Sequence, residues 1–266
     1  MKKAAVIIPI YKKEPTSTEI TSIEQTTNVL KNFAIFFVCP NSLDTTKYER
    51  FKAEFEKFDD KYFKNLRSYS ILMLKKEFYE RFSNFEFVLI CQPDAYVFED
   101  KLDYWCDRDF DCIGAPWFEG FNNATENSKM LDFVGNGGFS LRKTKSMLQI
   151  STPEIFRKTF REIFEENTKK KLISNILQIP KIIFFYAVQF VNPTIFNKSI
   201  YEDWLIATKA QKLMPEFKFP SATEAAKFSF EQFPEKLYEQ TGGKLPFGCH
   251  AFAKYNPEFW RKFIDF

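Results

Sequence analysis

The chain has 266 residues, of which 45% are hydrophobic and 27% are charged. This length allows one large domain or two small ones, and either would bury a substantial core. The net charge of +3 is close to balance, so neither a nucleic-acid groove nor a strongly acidic partner is expected.

The five cysteines are odd in number and scattered, and no two of them form a CxxC pair. They are Cys39, Cys91, Cys106, Cys112 and Cys249. With cysteines in this pattern, neither a zinc site nor a disulfide framework is expected. The pattern fits a protein of the reducing cytoplasm best. The apolar run after Lys2 and Lys3 is too short for a signal peptide and is predicted to enter a strand directly.

The first half of the sequence alternates strand and helix patterns. Uninterrupted apolar runs predict buried strands, because strands covered on both faces do not alternate in polarity. The predicted strands are Ala4–Tyr11, Phe33–Cys39 and Glu86–Cys91. A capping box at Thr16 and Glu19 opens the first predicted helix. This alternation calls for a parallel sheet with right-handed crossovers.

Two more helices are predicted between the second and third strands. Aromatic residues at helical spacing mark one face of the second helix, and Tyr69–Phe82 is predicted to form the third. The aromatic residues are Tyr48, Phe51, Phe55 and Phe58.

The second half predicts a mixed α/β arrangement, and nothing in it indicates a repeat or a linker, so a single domain is expected. Strands are predicted at Asp111–Pro116, Phe133–Arg142 and Ala225–Phe230. Helices are predicted at Pro153–Lys171, Tyr201–Lys212 and Pro257–Ile264, with a loop at Leu245–Phe252.

The segment Ile179–Val191 is mostly apolar but shorter than a bilayer requires. A buried hairpin or core helix is the favoured interpretation. The alternative is a surface that contacts a membrane or a lipid-linked acceptor, with Lys169–Lys171 facing anionic headgroups.

The stretch Phe87–Phe98 indicates where a ligand would bind. Its apolar run ends at Pro93, which cannot donate to a sheet ladder. Asp94 therefore emerges at the carboxyl end of a central strand, where open α/β sheets bind ligands. Its carboxylate suits a hard cation that in turn binds phosphate oxygens. The alternative is an Asp that only begins the turn.

His250 is the sole histidine, and Pro246 and Gly248 constrain its loop. A lone histidine is more often packed than ligating, yet Asp94 and His250 together could supply two ligands to a divalent ion. Manganese tolerates this mixed set better than magnesium, since imidazole suits transition metals.

Glu202 and Asp203 form a second acidic site. Acids at a helix N-terminus favourably meet the helix dipole, which is the simpler interpretation. The functional interpretation is a general base, whose pKa the neighbouring Tyr201 and Trp204 would raise by desolvation.

Gly137 and Gly138 lie in a GNGG stretch that is neither a P-loop nor GxGxxG. Glycines within a strand pattern indicate a bulge or a close approach of ligand and backbone. Trp117 follows a predicted strand. It is either a residue of the core or a flat apolar surface on which a sugar could stack.

Six blocks together resemble a bacterial family regarded as glycosyltransferases, designated domain of unknown function 5672 (DUF5672). The blocks are VIIPIYK (Val6–Lys12), FVLICQPDAYVF, DCIGAPW (Asp111–Trp117), VGNGGFSLR (Val134–Arg142), YEDW (Tyr201–Trp204) and LPFGCHAF (Leu245–Phe252). They span nearly the whole chain. The family in turn resembles GT-A transferases, which implies an α/β fold of GT-A type, with a Rossmann-like N-terminal half and a mixed C-terminal half.

The resemblance implies a metal site. Gln92-Pro93-Asp94 resembles an Asp-x-Asp motif whose first acid has become an amide; a shifted alignment, Asp94-Ala95-Tyr96, loses the second acid instead. Asp94 then takes the metal role, and His250 resembles the C-terminal histidine that many GT-A enzymes add as a ligand.

The resemblance also implies roles at other positions. Asp203, with Glu202, resembles the acidic pair that supplies the base of inverting members. The implied binding positions are Pro9 and Tyr11 with Gln92 for the nucleotide, Gly137 and Gly138 for the donor sugar, and Trp117 for sugar or acceptor.

These expectations combine into an inverting glycosyltransferase that uses a UDP-sugar, Mn²⁺ (or Mg²⁺) and a glycan or lipid-linked glycan acceptor. Residues 1–100 would bind the nucleotide and residues 101–266 the acceptor, in the cytoplasm or peripherally at the inner membrane. A non-catalytic nucleotide-sugar or glycan-binding protein is the alternative. A sugar-phosphate nucleotidyltransferase is less favoured, since Tyr11–Glu14 lacks the glycine-rich, arginine-bearing loop it would need.

Overall fold

The computed structural model describes residues 2–167, 179–194 and 200–266. The strands are β1 (Lys2–Pro9), β2 (Ala34–Pro40), β3 (Glu54–Phe58), β4 (Phe85–Cys91), β5 (Ala95–Val97), β6 (Cys112–Ile113), β7 (Pro116–Phe118), β8 (Met130–Val134), β9 (Phe139–Lys143), β10 (Ser229–Phe230) and β11 (Gly248–His250). The helices are α1 (Ser17–Val29), α2 (Leu66–Leu72), α3 (Lys76–Arg81), α4 (Leu102–Asp107), α5 (Thr144–Ile150), α6 (Phe160–Asn167), α7 (Ile179–Val188), α8 (Glu202–Leu213), α9 (Ala222–Phe228), α10 (Pro234–Gln240) and α11 (Pro257–Trp260).

The largest sheet within the described residues has six strands in the order β3-β2-β1-β4-β9-β6. Strands β1 to β4 run parallel to one another, whereas β9 pairs antiparallel with both β4 and β6. The mostly parallel sheet expected for an α/β fold is therefore present. The antiparallel strand β9 lies in the sheet between β4 and β6.

The middle and carboxyl-terminal parts of the central strands are apolar because hydrophobic clusters cover both faces of the sheet. In β1, Val6 and Ile8 pack in one cluster, while Ala5 and Ile7 pack in the other. All four side chains are at most 1% exposed. The three strands predicted in the first half are confirmed, as is the capping box between Thr16 and Glu19 at the start of α1.

The helix predicted from Tyr48 to Phe58 is wrong. Thr46–Tyr48 forms one 3₁₀ turn, and the residues that follow lead into β3, which pairs with the edge of β2. The aromatic spacing reflects contacts with β2 and not one face of a helix. The rings of Tyr48, Phe51 and Phe55 all pack against Phe37 of β2. Pairing with a neighbouring strand thus overrides the periodic pattern.

Several other predicted boundaries also change. The helix Tyr69–Phe82 is two short helices, α2 and α3. Phe133–Arg142 is not one strand, because its glycines form a turn between β8 and β9. Ala225–Phe230 is mostly helix α9, and the predicted loop Leu245–Phe252 contains β11.

A small second sheet, in the order β10-β11-β5, positions the residues of the candidate site. Strand β5 begins directly after the turn that ends β4, and β11 pairs antiparallel with it, so that His250 lies opposite Ala95. Residues from near the C-terminus are thereby brought to the exit of the central strand.

The apolar segment Ile179–Val191 forms α7 and the turn after it. Ile182 is fully buried, but most of the other apolar side chains face solvent. The exposed ones are Ile179, Ile183, Phe184, Tyr186, Phe190 and Val191. The favoured interpretation as a buried element is therefore wrong. No helix among the described residues is long and apolar enough to cross a membrane. Lys169–Lys171 lie outside the described residues.

Candidate functional site

Asp94 lies in the tight turn that joins β4 to β5. The amide of Ala95 donates to the carbonyl of Gln92 at 2.8 Å, which closes this turn, and the amide of Gln92 donates to the carbonyl of Gly138 at 2.8 Å. His250 reaches the same place from β11. Its Nε2 lies 3.3 Å from Oδ1 of Asp94 and 3.2 Å from Oε1 of Gln92. The two residues proposed to share a cation are thus neighbours.

Glu231 is a third member of this cluster, and reasoning from the sequence did not identify it. It follows β10 directly, and its Oε1 lies 2.9 Å from Nδ1 of His250. Burial would lower the pKa of His250, but its hydrogen bonds to Asp94 and Glu231 outweigh that effect and raise the pKa to about 10. Although burial raises the pKa of Asp94, the hydrogen bond and charge of His250 bring it below its ordinary value.

Asp94 and His250 are the members of this cluster that would hold a divalent cation, once the imidazole is neutral. A histidine ligand usually donates its other ring N–H to a carboxylate, which fixes the ring and its tautomer. Glu231 occupies that position on Nδ1, so a neutral His250 would present Nε2 beside the carboxylate of Asp94. Within the described ranges, no group of three or more His, Cys, Asp or Glu side chains could hold a metal. The metal role of Asp94 and His250 stays a prediction.

Glu202 and Asp203 begin helix α8, but they face different surroundings. Glu202 is only 4% exposed. Its Oε1 lies 3.2 Å from an Nη atom of Arg142, and its Oε2 accepts from the Ser70 hydroxyl at 2.9 Å. Arg142 is itself buried and also donates to Tyr79 and Ser140. This arrangement gives Glu202 a structural ion pair and leaves Asp203 as the acid that reaches a cavity.

Asp203 is held by the glycine turn between β8 and β9. Its Oδ2 accepts a hydrogen bond from the amide of Gly137 at 3.1 Å, and its Oδ1 accepts from the amide of Trp204 at 2.8 Å. Burial, followed by the negative charge of Glu202, raises the pKa of Asp203 to about 6. At neutral pH such a carboxylate is ionised yet basic enough to accept a proton.

The glycines of this turn are required by the chain's own packing. A Cβ on Gly137 would lie 2.0 Å from Oε1 of Glu202, and one on Gly138 would lie 2.0 Å from Nε2 of His250. Asn136 has a left-handed φ of 80° and accepts from the amide of Gly138 at 2.8 Å. The close approach expected at Gly137 and Gly138 is therefore to these side chains, and contact with a donor sugar stays a prediction.

Two cavities flank the cluster. The larger, of about 590 Å³, is lined by four of the predicted nucleotide-binding residues together with Lys12 and Lys64. The four are Pro9, Tyr11, Gln92 and Asp94. The smaller, of about 420 Å³, is lined by Trp117, Asp203 and Glu231 among others. His250 contacts Asp94, which lines the larger cavity, and Glu231, which lines the smaller one.

A protein-family model described as "Protein of unknown function (DUF5672)" matches residues 52–250. No curated protein sequence matches the chain. Similar solved structures include a glycosyltransferase involved in the glycosylation of the major capsid of PBCV-1, at 10% identity over 96% of each chain with a TM-score of 0.46. Mouse xyloside xylosyltransferase 1 in its apo form is similar at 10% identity, over 93% of this chain and 97% of its own, with a TM-score of 0.45.

The hydrogen bonds around His250 predict an unusual titration. Because this is the sole histidine, its imidazole proton signals in an NMR spectrum are assigned without ambiguity. In metal-free protein we expect the ring to remain protonated well above its ordinary pKa of 6.5. Its contribution to folding stability is then complete below about pH 6.5 and is lost as the pH rises through about 10.

Asp94→Asn and Glu231→Gln should each lower the pKa of His250. Glu235→Gln, which removes an exposed carboxylate four residues along the chain, is the matched control and should leave it unchanged. An imidazole that titrates near 6.5 in the unmodified protein would contradict the geometry.

Proposed function

The chain belongs to the DUF5672 protein family, whose model spans more than half of it, and we propose that it is a glycosyltransferase. It would move a sugar from a nucleotide sugar to a hydroxyl group of a glycan. The observation that carries this proposal is the contact of Asp94 with His250 at the exit of β4, between a cavity that contains lysines and a cavity that contains Asp203.

The larger cavity would hold the donor. Lys12 and Lys64 line it, and their charges favour the diphosphate of a UDP-sugar. Pro9 and Tyr11 lie where β1 ends and would contact the base. Tyr11 is 60% exposed, so a ligand can reach its ring. Lys12 already pairs with Glu19 at 2.8 Å, and a bound diphosphate would compete for that charge.

Asp94 and His250 would hold Mn²⁺, or Mg²⁺, beside this cavity. A cation bound there neutralises negative charge that develops on the departing nucleoside diphosphate. The chain's own contribution is to hold the two ligands in place: the Gln92–Ala95 turn fixes Asp94, and Glu231 orients the imidazole.

Asp203 would act as the general base. The acceptor hydroxyl gives its proton to this carboxylate as its oxygen attacks the anomeric carbon opposite the nucleotide, and the bond to the diphosphate breaks. Attack from the opposite face inverts the anomeric configuration. Glu202 stays paired with Arg142 and supports the base through its negative charge.

Replacing Asp94 tests the donor half of this mechanism. We expect Asp94→Ala to reduce release of UDP from a UDP-sugar by at least about 100-fold, because diphosphate charge is left uncompensated in the site. Asp100→Ala removes an exposed acid on the same stretch and should retain activity. Near-normal turnover by Asp94→Ala would remove this residue from the mechanism.

Unfolding measurements with UDP-sugars separate catalysis from binding. A donor at a hundredfold excess over its Kd should stabilise the native protein by about 2.7 kcal/mol, and Mn²⁺ should strengthen the effect. Stabilisation without turnover, in the presence of acceptor hydroxyls, would favour the non-catalytic binding protein instead.

Replacing Asp203 tests the acceptor half. Asp203→Asn should reduce transfer by at least about 100-fold through loss of the base, while stabilisation by the donor is retained. In the unmodified protein the transfer rate should fall as the pH drops below about 6, where this carboxylate becomes protonated.

Asp203→Asn removes a buried charge but leaves one of the two backbone N–H groups without an acceptor, so its unfolding transition should be measured beside that of the unmodified protein. Asp132→Asn, at an exposed position of β8, is the matched control and should leave both the rate and its pH dependence unchanged. A rate that is independent of pH between 5 and 7 would contradict the role of Asp203.

The exposed apolar residues of α7 support a peripheral membrane contact for the part of 169–191 that the structure describes. The protein should then co-sediment with vesicles of anionic phospholipid. Replacing Ile183 and Phe184 by Asp should reduce the fraction of protein that pellets with the vesicles. Tyr104→Asp, at an exposed aromatic residue of α4, should not. Equal binding by all three proteins would contradict a role for α7.

A further inference from the structure

Four aromatic side chains pack together at the smaller cavity, and three of them, Trp117, Phe121 and Trp204, line it. The Trp204 and Trp117 rings stack with their centroids 5.9 Å apart at an interplanar angle of 29°. Phe121 and Phe133 pack edge-on against Trp204 at 5.1 Å and 6.0 Å. These contacts fix the orientation of the Trp204 indole without burying it.

The indole of Trp204 remains open to the cavity. It is 40% exposed, and Tyr201, on the same rim, is 49% exposed. Trp105 and Trp260 are by contrast 2% and 0% exposed and belong to the core. An exposed tryptophan that aromatic neighbours hold in place offers a ligand a flat apolar face at little cost in conformational entropy.

Charge distinguishes the two cavities. The acids Asp203 and Glu231 line the smaller one, and none of the described residues that line it is Lys or Arg. Lys12 and Lys64 line the larger one, whose lining also includes the acids Glu19 and Asp94. Within the described part of the chain, the smaller cavity has two acids and no basic residue, so it is unfavourable for an anionic nucleotide, whereas the larger one offers two lysines to a phosphate. The smaller cavity is therefore left for a ligand without negative charge.

The rim of the smaller cavity is polar. Asn122, Gln232 and Tyr255 line it together with the aromatic residues, and their amide and hydroxyl groups can donate and accept hydrogen bonds. A ligand that fits this surface needs an apolar face for the indole and several hydroxyl groups around its edge. A pyranose ring has both.

A cationic ligand fits this cavity less well, although indole faces also attract cations. The Glu231 carboxylate is already paired with His250 at 2.9 Å. Asp203 already accepts two backbone N–H groups. Little uncompensated negative charge is left to pair with an ammonium group.

We propose that the acceptor is a neutral carbohydrate whose ring stacks on Trp204 and places a hydroxyl beside Asp203. The stacking residue and the base are consecutive at the start of α8, so one helix positions both. This inference rests on the proposed transferase function for the role of Asp203, but the binding of a sugar to Trp204 is testable without any turnover.

The experiment uses the full chain labelled with fluorotryptophan. The protein has four tryptophans, and Trp→Phe variants assign their fluorine NMR signals. The probes are methyl glucoside, methyl galactoside, methyl mannoside and methyl xyloside at millimolar concentrations. We expect at least one of them to shift the signals of Trp117 and Trp204 in a saturable manner, while those of Trp105 and Trp260 stay unmoved.

Trp204→Leu should abolish the shift of the Trp117 signal, and Tyr104→Leu, which removes an exposed aromatic side chain outside this cavity, should not. If no glycoside shifts either signal, the proposal is overturned. A shift with tetramethylammonium but with none of the glycosides would overturn it in favour of a cation site. Glycoside binding at Trp204 in a protein that turns over no nucleotide sugar would refute the transferase function while leaving the sugar site intact.

Discussion

The imidazole of His250 is held between two carboxylates, and the rest of the site depends on this contact. Asp94 reaches it from the exit of the central strand and Glu231 from the end of β10. A buried imidazolium is stable only when such partners compensate its charge. The same arrangement would direct Nε2 to a cation once the ring is neutral. The contact between His250 and Asp94 therefore both stabilises the charged imidazole and brings together the two proposed cation ligands.

The glycine turn connects this cluster to the acid pair of α8. Gly138 lies against His250, and Gly137 lies against Glu202, with distances that exclude any side chain. Through its amide, Gly137 also holds Asp203. Two consecutive glycines therefore lie against Glu202 and His250. A metal-ligand pair and a general base can thus lie close together without sharing a side chain.

The sequence predicted secondary structure best where a local pattern of apolar or capping residues determines it. Strands β1, β2 and β4 follow from uninterrupted apolar runs, and α1 follows from its capping box, because these signals are local. The helix predicted from Tyr48 to Phe58 failed because pairing with β2 buries the same aromatic rings without helical geometry. Glu231 and Arg142 could not be found from the sequence, since only the tertiary contacts of β10 and of the start of α8 give them their partners.

The account's central claim is that His250 and Asp94 bind one cation. The most direct test is electron paramagnetic resonance of Mn²⁺ bound to the protein with a UDP-sugar, using histidine that contains the heavy nitrogen isotope. Because the chain has a single histidine, any change in nitrogen hyperfine coupling reports on His250 alone. The account predicts a coupling that changes with the isotope and disappears in Asp94→Ala together with Mn²⁺ binding. Bound Mn²⁺ without coupling to this nitrogen would contradict it.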